Sequence, residues 1–153
     1  MEESKKINIF VNLTDKYIGV INNIIDYSNE KKILPLKIVL GINILKKYIQ
    51  DNKIKLVQYG IEYILQNKKD ILNFSFDNSD NNNDDNESIK SCINKTKKII
   101  KLEDSILKDS EIFNLIIEIK NKAQYLDKDD LLIIKTYIEI LIICLEKTRN
   151  LFI

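Results

Sequence analysis

The stretch that most restricts what this chain can become is its last, Asp127 to Ile153, DKDDLLIIKTYIEILIICLEKTRNLFI. Between Leu131 and Leu145 only Lys135, Thr136 and Glu139 are polar, so a helix here is apolar around most of its circumference and demands neighbours on several sides. Asp127 stands where a side-chain oxygen caps the first turn, and Asp129 and Asp130 put negative charge beside the free N–H groups. Lys147 and Arg149 lie near the other end, where the helix dipole favours cations. The unbroken apolar run from Ile140 to Leu145 falls far short of the ~20 residues that cross a bilayer, so the reading is a core helix and no membrane span.

Upstream, the pattern is helical nearly throughout. Ile7 to Leu13 is short and apolar, readable as a strand, an extended arm or the approach to a helix. Thr14 reads as an N-cap, followed by Tyr17, Ile18, Ile21, Ile24, Ile25 and Tyr27 at helical spacing up to about Ser28. Asn29 to Lys32 forms a connector. Pro35 reads as the first residue of a second helix whose inner face is Ile38, Ile42, Leu45 and Ile49, broken at Asp51 and Asn52. A third helix runs from Lys53 to about Asn73, with Val57, Ile61, Ile64 and Ile71 inside. The chain's three glycines, Gly19, Gly41 and Gly60, each fall within one of these helices. Glycine in a helix interior costs about 1 kcal/mol relative to alanine, and close helix crossing is the expected compensation.

Residues 74–87 (FSFDNSDNNNDDNE) change character, because from Asp77 to Glu87 they are Asp, Asn, Ser and Glu alone and cannot bury apolar surface. They predict a mobile, disordered Asn/Asp-rich acidic insertion. A calcium loop is the sharper alternative, but the glycine its sharp turn needs is missing and the acidic spacing does not fit. From Ser88, a fourth helix places Ile89, Cys92, Ile93, Ile99, Ile100, Ile106 and Leu107 on one face. The opposite face carries Lys90, Lys97, Lys98 and Lys101, with Lys95 at its margin. Residues 88–101 hold five positive charges and no negative one, whereas residues 70–87 hold six negative and no positive. Asp109 or Ser110 caps a fifth helix ending near Tyr125.

The expectation is therefore an all-α, single-domain bundle over residues 1–153, about six helices around a hydrophobic C-terminal helix, with 74–87 as a mobile insertion. A short helical-repeat solenoid is the alternative. Charges nearly cancel, 24 basic against 23 acidic, so no global field points to nucleic acid or membrane. Lysine supplies all the basic residues except Arg149, and heavy use of Ile, Lys and Asn matches the codons of an A+T-rich genome. Cys92 and Cys144 fall on apolar faces and read as buried free thiols in a reducing compartment. MEESKK is charged and no apolar leader with a cleavage site follows, which predicts an intracellular protein, cytoplasmic or nuclear.

Chemistry is mostly excluded by what the chain lacks. There is no histidine, which removes the commonest general base, the Ser-His-Asp arrangement and the usual zinc ligand. Two isolated cysteines make no structural zinc site, and neither a glycine-rich phosphate loop nor a dinucleotide fingerprint is present. No catalytic, cofactor-binding or metal-ligating residue is nominated, and no cofactor is expected. The functional expectation is a non-catalytic protein–protein interaction module, or a small subunit or accessory factor of a larger complex. Two other classes compete with it. One is a nucleic-acid or ribonucleoprotein accessory factor contacting phosphates through Lys90, Lys97, Lys98 and Lys101. The other is a carboxylate-dependent metal or hydrolytic protein using Glu111 with Glu118, or Glu139 with Glu146. The apolar chain end, Leu151, Phe152 and Ile153, is expected to cap the protein's own core.

Overall fold

Helical periodicity begins far upstream of Thr14. Phe10, Thr14, Tyr17, Ile21, Ile24 and Ser28 recur at intervals of three and four, and they lie along one side of a single 28-residue helix, α1, Glu3–Glu30. Ile7 to Leu13 is thus helix and neither strand nor arm. Thr14 is buried in the helix interior rather than capping a start, because it continues the inward stripe as a polar member.

The computed structural model describes residues 2–72 and 109–152, and every regular element among them is helical. After α1 come α2 (Leu36–Leu40), α3 (Ile42–Asp51) and α4 (Lys53–Tyr59), which runs into a π-helical turn, Gly60–Ile64. Then follow α5 (Lys68–Leu72), α6 (Asp109–Ala123) and α7 (Lys128–Asn150). The predicted insertion 74–87 and the helix from Ser88, with Cys92 and the lysine face, lie outside the described residues.

α1 ends in a Schellman turn. The N–H of Ile33 donates to Ser28 O and that of Lys32 to Asn29 O, both at 3.0 Å, which occupies carbonyls the last turn leaves free. Lys32 takes the left-handed position (φ 59°) that glycine usually fills. Buried Ile33 and Pro35 then turn the chain back on the bundle. Pro35 sits one residue ahead of α2, its carbonyl accepting from the N–H groups of Ile38 and Val39. The predicted single helix to Asp51 is divided at Gly41 (φ −100°, ψ 13°). Its predicted inner face holds: Ile38, Ile42 and Leu45 are half-buried and Ile49 is buried. The predicted third helix is likewise interrupted, by the π turn and residues 65–67.

α7 starts as expected, with an Asp127 carboxylate oxygen accepting from Asp130 N–H at 2.8 Å. Among the described elements it packs most extensively along α1, and it also meets the π turn and α5. Pairing of the first helix with the last is incompatible with a solenoid, whose units touch only their neighbours in sequence. The architecture is an all-α bundle. Its core joins Tyr17, Ile18 and Val20 of α1, Ile49 of α3, Val57 of α4, and Leu141, Cys144 and Leu145 of α7.

Enclosure of α7 is one-sided. Ile134, Leu141, Ile142, Cys144, Leu145 and Thr148 are buried, while Leu132, Ile133 and Ile143 on the other flank are exposed. The chain end is also less buried than expected: Leu151 is half-buried, and Phe152 is largely exposed although its ring meets Phe10 edge-on at 5.7 Å.

Glycine spacing separates into different causes. A Cβ on Gly60 falls 2.7 Å from Leu145 Cδ2, so close approach holds there. Gly19 has nothing within 4 Å of that position and Gly41 only the carbonyls of Lys37 and Ile38, so neither marks a helix crossing.

Candidate functional site

Two local arrangements stand out, one a clamp and the other a groove. The clamp joins the end of α1 to the start of α7. Tyr27 Oη donates to Asp130 Oδ1 at 2.6 Å, Lys31 Nζ lies 3.1 Å from the same oxygen, and the Lys31 ammonium sits 5.7 Å from the centre of the Tyr27 ring. The Tyr137 ring meets Tyr27 edge-on. Each group settles the charge of the next. The Tyr27 hydrogen bond, followed by that of Lys31, holds the Asp130 carboxyl below its ordinary pKa. The Tyr27 phenol, bonded to that carboxylate, is pushed up to about 12. The cluster fastens the end of α1 to the start of α7.

Its pH dependence follows from the raised phenol. Stability from the Tyr27–Asp130 bond is fully present below the ordinary tyrosine pKa of 10.0 and is lost as pH rises through about 12. Thermal melts of wild type and Tyr27→Phe should therefore differ at neutral pH and converge between those two values. A difference that persists unchanged above them would show that the bond is not what separates the two proteins.

The groove, about 470 Å³, runs between the N-terminal half of α1 and the α3–α4 junction. Phe10, Val11, Thr14 and Asp15 line one side, and residues 50–55 the other. Asn52 forms the corner: its side-chain amide donates to Tyr48 O at 2.8 Å and closes α3. Lys53 Nζ bridges the walls to Asp15 Oδ1 at 3.1 Å. Phe10 continues the apolar floor towards Phe152.

Thr14 is the anomalous member. Only 4% of its surface is exposed, yet its hydroxyl has no hydrogen-bond partner. Helical threonines elsewhere return the hydroxyl to the carbonyl one turn back, Thr136 to Leu132 O at 2.8 Å and Thr148 to Cys144 O at 2.7 Å. Thr14 does not. An unpaired buried hydroxyl costs roughly 1–3 kcal/mol; Thr14 lines the groove, with its Oγ1 itself screened from solvent.

Of the residues singled out from sequence, Lys90, Lys97, Lys98 and Lys101 lie outside the described residues. Among the carboxylates, Glu118 pairs with Lys122 at 3.2 Å, Glu146 accepts from Lys68 at 2.7 Å, and Glu139 is exposed. Among the described residues, no group of three or more Cys, Asp or Glu side chains is placed to hold a metal ion. Cys144 is a buried free thiol whose pKa burial raises, the opposite of an activated nucleophile. Sequence reasoning missed the groove because its walls are some forty residues apart in the chain. The available signal was a threonine between Phe10 and Tyr17 on the inward stripe of α1.

Comparison with protein-family models, with curated proteins and with solved structures gives no match to this chain.

Proposed function

We propose that the chain is a non-catalytic interaction module that receives a partner protein's side chain, apolar in its body and polar at its tip, in the groove between α1 and the α3–α4 junction. The observation carrying this reading is the buried, unpartnered Thr14 hydroxyl at the groove wall. A partner side chain that enters the groove and displaces the groups screening Thr14 Oγ1 can hydrogen-bond to it, which relieves a cost the free protein carries. Phe10, Val11 and Ile54 provide apolar contact around it, and Asp15, Asp51, Lys53 and Lys55 form a charged rim that favours a polar border.

Thr14→Val tests the reading from both sides. Valine keeps the shape and removes the stranded hydroxyl, so folding stability should rise by about 1 kcal/mol and Tm by roughly 2–4 °C. Partner binding should weaken, because the bond the hydroxyl was reserved for is gone. Affinity capture from the source cells with wild type, Thr14→Val and Val11→Glu/Ile54→Glu would read the second effect. Both residues of the double variant are exposed, so its fold, checked by circular dichroism, should be retained. A protein held by wild type and lost with the groove variants supports the module. An unchanged set of captured proteins, or a Thr14→Val that is less stable than wild type, overturns it.

A further inference from the structure

We draw no further inference here: the strongest candidate, the exposed apolar row Leu36, Leu40, Ile44 and Tyr48 along α2 and α3, carries nothing because nothing in the structure shows what covers it.

Discussion

Leu145→Ala is expected to remove about 2–5 kcal/mol of folding stability and to lower Tm by roughly 5–15 °C. Leu145 has no exposed surface and stands where α7 meets α1 and the π turn. Truncation deletes its contacts and leaves a cavity, and the surroundings have little means of closing it. On one side is the backbone of Gly60, which has no side chain to move inward. On the other is Tyr17, whose hydroxyl donates to Leu56 O at 3.2 Å and fixes the ring in place. Urea unfolding of wild type, Leu145→Ala and Leu40→Ala provides the measurement. Leu40 is largely exposed, so its truncation should fall within about 0.5 kcal/mol of zero. A cost below about 1 kcal/mol at Leu145 would mean that the centre of the core lies elsewhere.

Gly60→Ala should be destabilising by about 1–3 kcal/mol, against the gain of about 1 kcal/mol that alanine normally brings to a helix interior. The added methyl would lie 2.7 Å from both Leu145 Cδ2 and Tyr17 Oη, and 2.9 Å from Leu145 Cδ1. Those atoms end side chains, but Leu145 is wholly enclosed and Tyr17 is tied by its hydrogen bond. They cannot step aside cheaply. Gly19→Ala meets nothing within 4 Å and should therefore stabilise by about 0.5–1 kcal/mol. The same substitution thus carries opposite signs at two helical glycines. In Gly60→Ala/Leu145→Ala the new methyl enters the space vacated by leucine, so the double variant should cost less than the sum of the single ones. Strict additivity would place the two residues out of contact.

How much could be read from the chain depends on how local the cause is. α7 was legible because fifteen residues with three polar ones demand burial in any setting, and its Asp127 cap is a local hydrogen bond. The N-terminal half of α1 was not, because a buried threonine looks like a helix start when its neighbours in space are unknown. Gly60 announced a close approach, while the same reasoning at Gly19 failed. The clamp could not be foreseen, since Tyr27 and Asp130 are 103 residues apart and each has an ordinary local role. Leu40 and Ile44 keep helical spacing just as Ile38 and Leu45 do, so periodicity found the helix but could not say which of two apolar rows the bundle would use. The groove depends on residues 10–15 meeting residues 50–55, and only the fold brings these together.

Because α1 has α7 as its principal neighbour, it lacks that counterpart until α7 has also been synthesised. Some 125 residues separate Val20 from Leu145, and at about 5–20 residues per second a ribosome needs on the order of 6–25 s to cross that interval. For that time the inward row of α1 is exposed on a nascent polypeptide, a natural target for chaperones that shield apolar segments during translation.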